Sequence, residues 1–360
     1  FMEKKIIINI VGVSNRIIKL YSPLLKKLLS EKQISIGYIY NRNIIKAKKL
    51  ATYLGRGKAI DKLSSLKKTS NKSEIYIALV SLPPTKSFEY NIKLINQEIN
   101  IFSETPISQK LWQADVIEKI VKKNNLFFGI GEDYCFAPDS LLLKKYCEKT
   151  YMPPIIQNSG KSSSFHAFSL FSTFYKHENL PKIKSYKSYL NKMESLKIKR
   201  EIFKFEDNNI YILESFHPNK YVARNLGEIK LFYPNLTLTD KFYIFEGGGN
   251  IESTIYTENV QGEIIYKSKL LKDWECKKLH NIKSNFPLES YKINGLYYNF
   301  LSFLKLFSDP EYKNTIQYGI ANAKYDLFLA KIQYLNTRLK INNLFLIKAI
   351  IYILKFFKKI

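Results

Sequence analysis

The sequence predicts an α/β protein: a doubly wound parallel sheet at the N-terminus, followed by an α/β domain with an open mixed or antiparallel sheet. Three observations predict it. Short β-branched runs alternate with helical patterns from Ile6 to about residue 131. The connections between them are brief, and strand ends carry turn-forming or charged residues. After about residue 150 the alternation gives way to strand-like runs separated by turn chemistry.

Taken in order, Ile6–Val11 is a strand buried on both faces and closed by Gly12. A helical pattern (Ile17, Ile18, Leu20, Leu24, Leu25, Leu28, Leu29) leads to a strand at Ile34–Tyr40, ended by Asn41-Arg42-Asn43. Ile44–Leu54 is helical, with Gly55 as its C-terminal stop. Ile75–Val80, Ile99–Ser103 and Leu126–Ile130 are further strands, with helices at Phe88–Gln97 and Ser108–Lys123 between them. In the second half, Ile202–Phe205, Asn209–Phe216, Ile229–Tyr233, Leu236–Leu238, Lys241–Phe245, Asn250–Thr257 and Gly262–Tyr266 read as strands. Asp207-Asn208-Asn209 and Gly247-Gly248-Gly249-Asn250 supply turns, and Tyr297–Phe307 and Ile316–Leu335 read as closing helices. The expected division is 1–135, 136–340 and a basic terminal helix over 341–360.

The formal charge of +26, from 57 Lys+Arg against 31 Asp+Glu, favours anionic partners. A genome rich in A and T, spending Lys, Ile, Asn and Tyr freely, gives the same excess. The lysines are spread along the chain without a dense block, so nucleic acid is not an expected partner. Cys135, Cys147 and Cys276 are odd in number and widely spaced, which predicts neither a disulfide framework nor a metal site and fits a cytoplasmic protein. Phe1 precedes Met2, which reads as the natural start, and Ile6–Val13 reads as a strand rather than a secretory signal.

Right-handed strand–helix–strand crossovers gather the carboxyl ends of the first five strands at one crevice. Those ends carry Gly12-Val13-Ser14-Asn15-Arg16, Asn41-Arg42, Ser81-Leu82-Pro83, Glu104-Thr105-Pro106 and Glu132-Asp133-Tyr134. A Rossmann phosphate turn asks for three glycines after the first strand. Only Gly12 is present; Ser14 and Ile17 occupy the other two places. Ser14 can still bond a phosphate, whereas Ile17 is expected to hold the helix away from the strand or ligand. A Rossmann domain that no longer binds dinucleotide therefore stands as one reading. At the second strand, sites for NAD place a carboxylate on the ribose hydroxyls. Arg42 stands there instead, and a guanidinium pairs with a 2′-phosphate. If a dinucleotide binds, NADP(H) is favoured; the plainer reading of Arg42 is a surface arginine.

The order of Gly12, Tyr40-Asn41-Arg42-Asn43 with Ala47, Ile77-Ala78 through Pro84, Glu104-Thr105-Pro106 and Glu132-Asp133-Tyr134 resembles the Gfo/Idh/MocA oxidoreductase superfamily. That resemblance implies a Rossmann domain followed by an α/β domain bearing the substrate site. It also implies a Glu-Lys-Pro lysine touching cofactor and substrate, where this chain has Thr105, and a histidine early in the second domain, matched by His166. The aspartates that accompany that histidine are Ser162 and Ser169 here. Within the superfamily the layout is similar to thiazolinyl imine reductases, which also lack the lysine and place a tyrosine where Tyr134 lies. The link Cys147–Gly160 and the run Leu231–Leu238 look like theirs as well.

The resemblance implies NADPH-dependent reduction of a C=N or C=O bond, on a small molecule or a carrier-bound natural-product intermediate of the siderophore kind. Tyr134 would be the proton donor, His166 would assist or bind substrate, and Thr105 would orient a carboxamide or water. Gly12, Ser14, Asn15, Arg16, Asn41, Arg42, Ser81, Leu82 and Glu104 would bind cofactor. Two alternatives stand beside this: a sugar or cyclitol dehydrogenase, and a non-catalytic binding or scaffold protein. His166, between Phe165 and Ala167-Phe168, also fits plain packing; Glu132 and Asp133 fit an acid/base pair or a helix cap. His177, His217 and His280 read as structural. Leu344–Ile360 puts Lys348, Lys355 and Lys359 on one helical face amid apolar residues. Such a helix lies in an anionic membrane interface, fits a partner groove, or covers its own domain or a homodimer interface.

Overall fold

The structure is a computed structural model. It describes residues 5–66, 73–137, 140–141, 143–144, 154–159, 165–172, 180–193, 196–218, 227–234, 237–244, 251–258, 264–269, 287–309, 319–339, 341 and 343–357. Cys147, Ser162, His177, Cys276, His280, most of the 147–160 link and the 247–250 turn lie outside the described residues. Two compact units form: residues 1–133 with 292–324, and residues 134–291 with 325–359. The second half of the chain thus lends a segment to the first unit, which a contiguous division at residue 135 does not foresee.

The first unit is built on β1 (Lys5–Val11), β2 (Ser35–Tyr40), β3 (Lys58–Ile60), β4 (Glu74–Val80), β5 (Asn100–Glu104) and β6 (Phe128–Gly131). They form one parallel sheet in the order β3-β2-β1-β4-β5-β6. Helices α1 (Ser22–Ser30), α2 (Ile44–Leu54), α3 (Pro84–Ile95) and α4 (Leu111–Lys123) connect the strands. The apolar runs are buried as their composition requires: Ile8, Ile10, Val11 and Ile77 through Val80 have no exposed surface. Asn9 is an exception within β1. It is fully buried, and its Oδ1 accepts the Tyr38 N–H at 2.8 Å where the β1–β2 register shifts. The side chain replaces a ladder partner lost at the irregularity.

Helix α3 begins at Pro84 rather than Phe88, because proline at the first helical position has a suitable φ and needs no N–H partner. Strand β3 is a three-residue edge strand with too few residues to show a period. The returning helix α5 (Pro287–Lys305) packs Phe300 and Phe303 on Phe102, with ring centroids 4.9 and 5.3 Å apart. Its Asn299 Nδ2 donates to the carbonyls of Ile130 (2.7 Å) and Glu132 (2.8 Å), fixing the end of β6. Gly295 lies against this strand end so closely that a Cβ would sit 2.1 Å from the Asp133 carbonyl oxygen.

The second unit holds an eight-stranded sheet: β7 (Ile156–Ser159), β8 (Ile183–Met193), β9 (Leu196–Phe205), β10 (Ile210–Pro218), β11 (Gly227–Phe232), β12 (Thr237–Ile244), β13 (Ile251–Glu258) and β14 (Ile264–Lys269). The order is β14-β13-β12-β11-β7-β10-β9-β8, antiparallel except for the β7–β10 pair. The sheet is therefore mixed. The runs 236–238 and 241–245 join into the single strand β12. Strand β8 escapes the pattern reading because lysines are interleaved along it. It is an edge strand, where charge discourages further pairing.

A short helix, α6 (Phe165–Ser172), lies on the face formed by Phe203, Phe205 and Tyr211. Phe171 stacks on Tyr211 at 4.6 Å and on Phe205 at 5.0 Å, while the Tyr211 hydroxyl donates to the Ala167 carbonyl at 2.9 Å. Helices α7 (Ile320–Leu339) and α8 (Leu344–Phe356) follow. Among the described residues no helix is long and apolar enough to cross a membrane.

Candidate cofactor site

In the first unit the strand order reverses at β1, with β2 on one side and β4 on the other, and a crevice opens there at the carboxyl ends. The turn after β1 is held at both sides. The Gly12 N–H donates to the Tyr40 carbonyl, and the Ser81 N–H donates to the Val11 carbonyl, each at 2.9 Å. Gly12 has φ +93°, and a Cβ there would lie 2.5 Å from the Ser81 carbonyl oxygen and 2.6 Å from Leu82 Cδ2. Glycine is required both for conformation and for space. The one glycine retained in this turn is the one that the geometry cannot replace.

The other two glycine places are handled differently. Ser14 Oγ lies 2.7 Å from Ser81 Oγ and accepts the Ile17 N–H at 3.2 Å, so the hydroxyl caps the incoming helix. Ile17 is fully buried, and residues Ile17–Tyr21 form a π-helical turn before α1. The wider turn accommodates a side chain where glycine would permit close packing.

A cavity of about 300 Å³ occupies the crevice. Gly12, Val13 and Ser14 line it from β1, Tyr40, Asn41 and Arg42 from β2, and Ser81, Leu82 and Pro83 from β4. Lys86, Glu89 and Tyr90 of α3 complete the wall. The Asn41 side chain accepts the Val13 N–H at 3.0 Å and donates to the Asn43 carbonyl at 3.1 Å, bracing the two turns against each other. Tyr40 and Tyr90 share a hydrogen bond of 3.0 Å between hydroxyls. Burial, then the bond to Tyr90, pushes the Tyr40 hydroxyl up to about 12, so it stays protonated at neutral pH.

The residues expected to bind cofactor therefore fall into two sets. Gly12, Ser14, Asn41, Arg42, Ser81 and Leu82 line one cavity. Asn15 is exposed and outside that lining. Arg16 and Glu104 also lie outside it, and they face one another instead: Arg16 Nε is 2.5 Å from Glu104 Oε2, and Arg16 Nη2 is 3.0 Å from Asp133 Oδ2. The Tyr21 hydroxyl donates to Glu104 Oε1. Burial raises the Glu104 pKa despite Arg16 beside it, and burial together with Glu104 holds Tyr21 well above its usual value. Burial alone would lower the Arg16 pKa, but Asp133 and Glu104 outweigh it and keep the guanidinium charged. This cluster ties β5 and β6 to the first helix.

Lys86, Glu89 and Tyr90 were not among the sequence candidates. Lys86 follows Pro83 by three residues, and Glu89 and Tyr90 follow Lys86 by three and four, the spacing that places them on one face of α3. Thr105 precedes Pro106 through a cis peptide bond at the end of β5 and is not in the cavity lining. In the second unit the structure brings Tyr134 and His166 together, with ring centroids 5.5 Å apart. Tyr134 is buried and His166 half-buried. Ser169 Oγ donates to the His166 carbonyl at 2.8 Å, and Cys135 Sγ approaches the Ser169 carbonyl at 3.2 Å.

The strand order, the switch point and the glycine turn together define a Rossmann-type domain. Residues 6–132 match the model of the oxidoreductase family with an NAD-binding Rossmann fold, Gfo/Idh/MocA, and carry that family's fold. Solved structures of similar fold include a UDP-N-acetylglucosamine 3-dehydrogenase from Acidithiobacillus ferrooxidans, 11% identical, with 90% of this chain and 95% of that chain covered and a TM-score of 0.62. A 3-ketoreductase from Actinomadura kijaniata in complex with NADP is 10% identical, with 89% and 95% covered and a TM-score of 0.59. The super-repressor mutant of Gal80p from Saccharomyces cerevisiae is 12% identical, with 92% and 95% covered and a TM-score of 0.66. Comparison of the sequence with curated proteins gives no match.

Proposed function

We propose that the chain is an NADP(H)-dependent reductase of a C=N or C=O bond. The observation that supports it is the cavity at the switch point, where Arg42 stands at the end of β2 without a carboxylate on that strand end. Gly12 would admit a pyrophosphate close to the backbone, and Arg42 with Lys86 would meet a 2′-phosphate. The nicotinamide, when bound, supplies or accepts the hydride. The chain's own work is to hold the electrophile and to deliver a proton to the atom that gains charge. Tyr134 is the donor in this reading, and His166 beside it assists or binds substrate. Thr105 cannot release a proton at neutral pH and would orient a carboxamide or a water. Titration with NADPH, followed by nicotinamide fluorescence, tests the reading. Saturable enhancement is expected, and no change at about millimolar cofactor would sink it.

Tyr134→Phe is expected to lower kcat by about 10²–10⁴-fold while leaving NADPH affinity unchanged. Steady-state kinetics beside a binding titration would check this, and unchanged turnover would remove Tyr134 from the chemistry. The finer substrate reading is a carrier-tethered C=N bond, supported by Thr105 in the lysine position and by Tyr134. The fold likeness to a UDP-sugar dehydrogenase and a ketoreductase favours a second reading, a sugar or cyclitol dehydrogenase. Thr105→Lys separates them: sugar turnover should rise under the second reading and barely change under the first. A non-catalytic binding role is favoured by the Ser14 hydroxyl being engaged within the protein and by buried Ile17. Clear NADPH turnover would exclude it.

A further inference from the structure

Helix α8 sits on the second unit in an unusual orientation. Only Ile347 and Ile351 are buried, and Lys348 Nζ donates to the Ile183 carbonyl at 2.6 Å. The opposite side of the helix is apolar and faces outward. Phe345 is 82% exposed, Phe356 75% and Tyr352 73%, with Leu346, Ile353 and Phe357 also exposed. An ordinary surface helix hides its apolar stripe and shows its charges. Here the residues that show are the large apolar ones. Exposed side chains of this kind in one patch mark a surface that another body covers.

We propose that this face inserts into the interface of an anionic phospholipid bilayer. Charge identifies the occupant. From Lys340 to Ile360 the sequence contains Lys340, Lys348, Lys355, Lys358 and Lys359 and no Asp or Glu. Lys355 lies on one flank of the exposed apolar arc, where headgroup phosphates would lie if the arc entered the acyl boundary. A second copy docking through the same face about a two-fold axis would bring like-charged helices together with no carboxylate within residues 340–360 to pair them. Helix α8 has 13 residues, about 20 Å of helix, too short to span the roughly 30 Å hydrocarbon core. It lies in the plane of the surface. The net charge of +26 adds a long-range attraction to the same sign of surface.

The full-length protein should float with vesicles containing about 30 mol% phosphatidylglycerol and stay with the soluble fraction beside phosphatidylcholine vesicles. Tyr352→Glu with Phe356→Glu changes only exposed positions, so the fold should be retained, as circular dichroism would check. That variant should lose at least about tenfold in vesicle affinity. Lys355→Gln should lose about fivefold, an effect that added salt diminishes. Equal binding to both vesicle types, or no binding to either, would overturn the proposal. So would sedimentation showing a dimer that the double variant converts to monomer without any vesicle binding, since a second copy would then be the occupant.

Discussion

Arg16→Met should destabilise the first unit by about 3–5 kcal/mol, because it removes the guanidinium that faces both Glu104 and Asp133. Methionine keeps much of the aliphatic stem, so lost packing contributes little. The two carboxylates are 7% and 1% exposed and would then lie buried without the guanidinium that faces them both. The effect should depend on pH in a definite sense. Glu104 already holds its proton to higher pH in the folded protein than in the unfolded chain, because burial disfavours its charge. Its contribution is thus present at low pH and is lost as pH rises from the ordinary carboxylate range through the raised value. Removing Arg16 raises that value further. The gap in denaturation midpoint between variant and parent should therefore be wide at neutral pH and narrow near pH 5. A gap independent of pH would mean that the cluster is neutral or that Arg16 acts only through packing.

Arg42→Asp should reverse the preference between the two dinucleotides. Loss of a charge-assisted bond to the 2′-phosphate costs about 1.5–3 kcal/mol, or roughly 10–100-fold in NADPH affinity. The new carboxylate repels that phosphate and accepts ribose hydroxyls, so NADH binding should hold or improve. Lys86→Ala is a milder companion: Lys86 is 54% exposed and shared with Glu89 at 3.7 Å, so a loss of a few-fold in NADPH affinity is expected. Fluorescence titration with each cofactor reads all three proteins. Equal losses for NADPH and NADH would show that Arg42 shapes the turn rather than reading the phosphate.

Much of the first unit was legible because its strands are continuous apolar runs and its helices carry clear periods and stops. Gly12, Asn41, Arg42, Ser81 and Leu82 could be assigned to one crevice from topology alone, since parallel strands deliver their ends to the same edge. The fate of Arg16 and Glu104 was not legible. Both sit at strand-end or turn positions, and nothing in their spacing says that they pair with each other and with Asp133 instead of lining the cavity. Lys86 and Tyr90 were hidden for a related reason: helical periodicity shows a face, but not what that face borders.

The sequence by itself determined the alternation of elements, the parallel sheet, the place of the Gly12 turn and the change to turn-separated strands in the second half. Each of these follows from local residue type and period, which act within a few residues along the chain. Tertiary structure alone decided that residues 292–324 return to the first unit, that Asn299 holds the end of β6 and that helix α8 turns its apolar arc outward. Those outcomes depend on which surfaces meet across a hundred residues or more. An amphipathic pattern has a face to bury, but its partner is chosen only when the whole chain packs.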